Sequence, residues 1–194
     1  LIGLPISIVF LVCCQSRDLQ LDKDVYNGKK EVILTAQIED TPSTKTLLVD
    51  NHKVYWGIND EIAIFSAGEK SKFVSLNTAP ASSANFRGSI SVISGTNENM
   101  EDSYIYGLYP YSEASEFDDG FITTTLPHIQ TATDNSFDDD LLLTMGRSLT
   151  FSIPFYNVCS GIKFSLNQEG IYQIRLSSNN GEPLAGKVVL GIDD

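Results

Sequence analysis

Apolar and polar residues alternate with a period of two in many short segments of this 194-residue chain. The clearest is Val32–Ile38, where every second residue is apolar and Thr35 and Gln37 lie between them. Such alternation predicts a strand with one buried face. The other predicted strands are Lys53–Trp56, Glu61–Ser66, Lys72–Leu76, Phe86–Val92, Ser103–Tyr109, Phe121–Leu126, Leu141–Met145, Leu149–Phe155, Ile162–Leu166, Ile171–Leu176 and Lys187–Leu190.

The predicted strands are separated by residues that favour turns, as in Thr41–Thr46, Asp118–Gly120 and Asn179–Gly181. No segment shows a convincing helical period, and Phe, Tyr, Thr, Ile and Val are frequent. This pattern predicts an all-β fold, an antiparallel β-sandwich or barrel. Because the last predicted strand is followed almost at once by Asp194, we expect the fold to be interrupted there.

The first twelve residues carry no charge and form an apolar run broken only by Gly3, Pro5 and Ser7. As a helix they would span about 18 Å, less than the roughly 30 Å of a bilayer core, so the run is typical of a signal peptide. The usual basic leader and initiator Met do not precede it, and we expect that the sequence begins inside its reading frame.

Two adjacent cysteines follow this run in a pattern that resembles the bacterial lipobox. Cys14 as the lipid acceptor has Leu11 at position −3 and the small Cys13 at −1, whereas Cys13 as the acceptor would have Val12 at −1. We therefore predict lipidation of Cys14, with two acyl chains that suffice for stable anchoring. The alternative is an ordinary signal peptide or buried thiols. The predicted organisation is a signal peptide and lipobox in residues 1–14, a polar tether in 15–30 and a β-domain in 31–194.

The chain is strongly acidic, with 13 Lys and Arg against 25 Asp and Glu and a net charge of −12. Such a field repels a phosphate backbone, so nucleic acid is excluded as a partner. An acidic surface also keeps an exposed protein soluble.

The residues that could carry chemistry form no recognised catalytic or metal-binding motif. His52 and His128 are the only histidines, and no nucleophile elbow or phosphate-binding loop occurs. Cys159 is the only cysteine beyond the anchor region and is predicted to be a small buried hydrophobe. Asp138–Asp140 could offer oxygens to calcium, but a solvated acidic turn is the preferred interpretation. We predict no enzymatic activity, no cofactor and no metal.

Taken in order, several segments resemble the Bacteroides-type fimbrillin family, in its minor-fimbrillin-like branch. The lipobox and Val32–Glu39 come first. The remaining matching segments are Thr44–Thr46, Val54–Ile62, Phe86–Gly88, Tyr104–Tyr111, Leu126–Gln130, Phe155–Leu166 and Ile174–Gly186. The chain departs from the family at Asn59, where Gly is usual, and at Lys45, where Arg is frequent.

The resemblance implies transthyretin-like Greek-key sandwich domains, with a second β-domain beyond the end of this sequence. It implies a lipoprotein at the outer membrane and cell surface, a structural or anchor subunit of a fimbria that acts in adhesion. A trypsin-like protease would cut between Lys45 and Thr46 and remove the strand Val32–Ile38. A strand from another fimbrial subunit would then fill the groove, which is β-augmentation.

Two other interpretations stay open. The chain could be a surface lipoprotein that binds host or bacterial glycans without polymerising, with Trp56 and Tyr109 as stacking platforms. For Trp56, core packing is the preferred role, since a single Trp within an alternating strand is usually buried. The third interpretation is a non-catalytic fragment of a larger secreted enzyme.

Overall fold

The computed structural model describes residues 27–39, 55–93, 104–131, 141–159, 161–162 and 164–192. These residues are all-β and contain no α-helix, which confirms the all-β part of the predicted fold class. The strands are β1 (Asn27–Ile38), β2 (Glu61–Ser66), β3 (Glu69–Ser75), β4 (Ser83–Ile93), β5 (Ile105–Tyr109), β6 (Glu116–Asp118), β7 (Phe121–Leu126), β8 (Thr144–Ser148), β9 (Ser152–Asn157) and β10 (Gly186–Leu190).

Seven strands close into a barrel in the order β1-β4-β3-β2-β5-β8-β9. All neighbours in the barrel are antiparallel except β1 and β9, which are parallel. Local turns account for part of this order. The β2–β3 hairpin, for example, turns through Ala67 and Gly68, both at positive φ, as a two-residue turn of this type requires.

A second sheet, in the order β10-β7-β6, covers one outer face of the barrel. The strand β2 explains this layering, because four consecutive residues in it are buried. Ile62 and Ile64 belong to the cluster inside the barrel, whereas Ala63 and Phe65 belong to a second cluster with Ile122 of β7. β2 therefore lies between two cores, and its apolar run reflects burial on both faces.

The predicted strands agree with the structure to different degrees. Glu61–Ser66 and Phe121–Leu126 have the predicted bounds, and β1 begins at Asn27, inside the expected tether, because its partner β4 continues to Ile93. The short β6 was not predicted. Lys53–Trp56 contributes only the bridge between Trp56 and Ala81 among the described residues.

The segment from 161 to 178 differs most from the prediction. Its apolar residues alternate, yet none of its described residues belongs to a strand, and Tyr172 is 97% exposed. Alternation indicates that a segment suits a sheet surface, but a strand also needs an edge to pair with. The strands of the described residues establish the all-β class, whereas the transthyretin-like sandwich stays a prediction.

Candidate functional site

The candidate site is the β1 seam, which we define as β1 together with the two strands that enclose it, β4 and β9. On one side β1 pairs with β4 along nearly its whole length, from Asn27 opposite Ile93 to Gln37 opposite Ser83. On the other side it pairs with β9 only from Thr35 to Ile38. The second ladder is shorter and parallel, and parallel pairing is slightly less stable per residue. The β1–β9 ladder is therefore the weaker closure of the barrel.

Main-chain hydrogen bonds tie the C-terminal half of β1 to both neighbours. On the β9 side, the Thr35 N–H donates to the Phe151 carbonyl at 2.7 Å and the Glu39 N–H donates to the Phe155 carbonyl at 2.9 Å. On the β4 side, the Ile38 N–H donates to the Ser82 carbonyl at 3.0 Å. This half of β1 thus lies within the sheet and is not an edge.

The two faces of β1 differ sharply in exposure. Leu34 is 1%, Ala36 0% and Ile38 8% exposed, whereas the neighbouring Ile33 is 50% exposed. Val32 packs partly against the same interior cluster. The alternation predicted from Val32 to Ile38 is therefore present, and it directs one face of β1 into the barrel.

Both flanking strands place a phenylalanine in the barrel interior beside β1. Phe86 of β4 is opposite Leu34, and Phe155 of β9 is opposite Ile38. Each ring packs edge-to-face against Trp56, with centroids 5.0 Å away for Phe86 and 5.2 Å away for Phe155. Neither phenylalanine was predicted as a site residue from the sequence, although each is an apolar position in an alternating segment.

Trp56 is held in place by a tight turn. The Gly57 N–H donates to the Asp60 carboxylate at 2.6 Å, and the Ser75 hydroxyl donates to the Gly57 carbonyl at 3.0 Å. Asn59 in this turn has a φ of 60°, a conformation that Asn and Gly adopt most readily. Asn is therefore a residue type that suits this turn.

The two residues considered for sugar stacking lie in the core. Trp56 is 1% and Tyr109 8% exposed, and their rings pack edge-to-face with centroids 5.4 Å apart. Trp56 therefore has the packing role preferred above, and neither ring presents a face to a sugar in this structure. Two buried polar atoms, Trp56 Nε1 and Thr144 Oγ1, have no hydrogen-bond partner.

Several other predicted positions lie outside the described residues. They are the lipidation candidate Cys14, the cleavage pair Lys45 and Thr46, His52 and Asp138–Asp140. Glu39 and Tyr55 are the described residues that border the segment containing the cleavage pair.

The remaining titratable groups give structural contacts. In the described ranges, no group of three or more His, Cys, Asp or Glu side chains is placed to hold a metal ion. Lys72 forms an ion pair with Glu61 at 2.9 Å, and this hydrogen bond raises the pKa of Lys72. Burial raises the pKa of the Cys159 thiol, which packs against the second cluster.

No protein-family profile, curated protein or solved structure matches the chain. Its fold and the β1 seam are therefore the basis for a functional proposal.

Proposed function

We propose that the chain is a subunit or anchor of a cell-surface fimbria, assembled by exchange of a strand between copies or related subunits. The observation that carries the proposal is the position of β1. This strand precedes the other described strands along the chain and completes the barrel between β4 and β9, with one long ladder and one short parallel ladder. A chain built in this way can lose its first strand without disturbing the order of the other six.

Loss of β1 would create a groove with a strong tendency to be refilled. The main-chain donors and acceptors that face β1 on β4 and β9 would become unpaired, and unpaired edges are templates for another strand. The interior faces of Phe86 and Phe155, both 0% exposed with β1 present, would meet water. An incoming strand with apolar residues at the positions of Leu34, Ala36 and Ile38 would restore both the ladders and the core.

The finer description of the fold belongs to the same proposal. The outer sheet covers the barrel face formed by β2, β5 and β8, so this half of the domain has two packed β-layers. We assign the domain to a transthyretin-like sandwich, in which the outer sheet packs against the sheet β4-β3-β2-β5-β8-β9 that would remain when β1 leaves the barrel. A solved structure in which these two sheets stay packed face to face after β1 removal would support the assignment.

Membrane attachment is proposed through Cys14. In the described part of the chain, no helix is both long and apolar enough to cross a membrane. We expect Cys14→Ser to abolish incorporation of labelled fatty acid in the full-length protein and to release it from the outer membrane. Cys13→Ser is the matched control and should leave both unchanged, since Ser is also a small residue at the −1 position. Equal labelling of the Cys14→Ser protein would contradict the lipidation site.

Proteolytic maturation is proposed between Lys45 and Thr46. N-terminal sequencing of protein recovered from surface fibres should then give a chain that begins at Thr46. Lys45→Ala should prevent this cut and fibre growth, whereas Lys53→Ala, which removes the same charge nearby, should not. A surface form that keeps residues 15–45 would exclude strand removal in this chain.

A further inference from the structure

The residues that β1 directs into the barrel differ in size. Leu34 and Ile38 are large, whereas Ala36 between them is small and fully buried. Its direct partner on β4 is Ala84, and its partner on β9 is Ile153. Ala36 and Ala84 are the only alanines that the described residues contribute to the cluster inside the barrel. The two smallest side chains of this cluster are therefore neighbours across the β1–β4 ladder.

Trp56 occupies the space beside these alanines. Its ring contacts Phe86 of β4 and Phe155 of β9, which lie on opposite sides of β1. Phe86 is aligned with the residue of β1 two before Ala36, and Phe155 is aligned with the residue two after it. A ring that contacts both phenylalanines therefore crosses the interior face of β1 at Ala36.

Several contacts fix the position of the Trp56 ring. The Trp56 N–H donates to the Ala81 carbonyl at 2.7 Å, and the Ala81 N–H donates to the Trp56 carbonyl at 3.1 Å. Tyr109 makes a third edge-to-face contact with the indole, in addition to the two phenylalanines. Protein interiors are close-packed, and extra methyl groups in them force side chains and backbone to shift. A residue larger than alanine at position 36 would therefore meet a ring that is held on several sides.

We propose that Trp56 determines which strands the β1 groove accepts, where the β1 groove is the space between β4 and β9 that β1 fills. The groove takes a strand whose inward residues are large, small and large at the positions of Leu34, Ala36 and Ile38. The inference rests on strand exchange as the function of the β1 seam. The partner is then a subunit whose exchanged strand has Ala or Gly at the central position, and β1 of a second copy has this pattern.

The same size limit excludes two segments of the chain itself. Both alternate and are exposed, and neither belongs to a strand in the part of the chain that the structure describes. Their alternating apolar residues are Ile162, Phe164 and Leu166 in the first segment and Tyr172, Ile174 and Leu176 in the second. In each segment the central residue is large. A segment of the same chain has a high effective concentration at the groove, so its exclusion leaves the groove to a strand from another subunit.

The first test measures the size limit in the intact full chain, without strand exchange. Ala36→Val should lower the urea midpoint by about 1 M, because it adds bulk beneath the indole. Circular dichroism follows unfolding, so that Trp56 can be changed. In a Trp56→Phe chain, which has a smaller ring, Ala36→Val should lower the midpoint by less than half as much. Gln37→Val is the matched control on the exposed face of β1 and should have little effect in either chain.

The second test measures which strands enter the groove. An introduced protease site lets the chain be cut between Glu39 and Tyr55, and fluorescent peptides of residues 27–39 then compete with β1. The peptide with Ala36→Val should bind about tenfold more weakly than the unchanged peptide, whereas the peptide with Gln37→Val should bind equally well. This comparison keeps Trp56 in the protein and therefore does not require that Trp56→Phe folds.

A peptide from the chain's own exposed segment gives the converse result. Residues 165–177 have the same length and place Ile174 at the central position. We expect this peptide to bind at least about tenfold more tightly after Ile174→Ala, although the change removes apolar surface. Gln173→Ala is the matched control and should give no gain.

The outcomes separate the size limit from strand exchange. If the unchanged 27–39 peptide does not bind, strand exchange is refuted, and the intact chain still decides whether Trp56 limits the size of residue 36. If the unchanged and Ala36→Val peptides bind equally well, the size limit is refuted and strand exchange stands. An unchanged urea midpoint for Ala36→Val, or an equal shift in the Trp56 and Trp56→Phe chains, would also overturn the proposal.

Discussion

Replacing Leu34 by Ala and comparing the result with Ile33→Ala tests the orientation of β1 directly. The two residues are adjacent in one strand, but Leu34 is 1% and Ile33 50% exposed. Leu34 packs within the interior cluster opposite Phe86, so its truncation removes buried methyl groups and leaves a cavity that costs about 2–5 kcal/mol. Ile33→Ala loses half-exposed surface and strand propensity, worth roughly 1 kcal/mol.

Urea unfolding followed by tryptophan fluorescence measures both changes, because Trp56 is the only tryptophan and lies in the same cluster. A loss of about 3 kcal/mol should lower the midpoint by roughly 1–3 M, given a slope of about 1–3 kcal/mol per M. Ile33→Ala should shift the midpoint by less than half as much. If Ile33→Ala had the larger effect, β1 would be displaced by one residue, since such a slip exchanges its faces. Equal effects would show that β1 is not seated in the barrel.

Three further predictions concern other parts of the domain. Ala67 has a φ of 51°, which is unfavourable for Ala, so Ala67→Asn should raise the free energy of unfolding by about 0.5–1 kcal/mol, whereas Ala114→Asn should not. A Cβ on Gly146 would lie 2.0 Å from the Pro154 carbonyl oxygen, so Gly146→Ala should cost about 3 kcal/mol, and an unchanged melting temperature would contradict the β8–β9 pairing. Because burial raises the pKa of Cys159, its alkylation by iodoacetamide should reach half its maximal rate at a higher pH in the folded than in the urea-unfolded chain. The rate is measured by mass spectrometry of the Cys159 peptide, and the same half-maximal pH in both states would contradict the prediction.

The sequence predicted those strands whose burial pattern is visible locally. β1 and β7 alternate between buried and exposed residues, and the apolar run of β2 reflects its two buried faces. The core position of Trp56 was also predicted, because a single Trp within an alternating segment is usually buried. The described residues between 162 and 176 have the same alternation without a strand, which shows that periodicity reports a suitable surface and not the presence of a partner.

Barrel closure and the cross-strand pairs could not be predicted in the same way. The parallel pairing of β1 with β9 joins Thr35 to Ser152, and no local pattern specifies which distant strand completes a sheet. Tyr106 and Arg147 come together through the register of β5 and β8, which no sequence motif specifies. β6 is three residues long, too short for alternation to be recognised.

Exchange of β1 is the most direct test of the proposed assembly. A site for a sequence-specific protease is placed between Glu39 and Tyr55, the purified chain is cut there, and β1 stays bound only by its ladders and core contacts. A fluorescent peptide of residues 27–39 is then added, alongside the same peptide with Leu34→Asp and Ala36→Asp. We predict that the first peptide replaces β1 while Trp56 stays buried, and that the second is not taken up. Uptake of both peptides, or of neither, would contradict an exchangeable strand in this barrel.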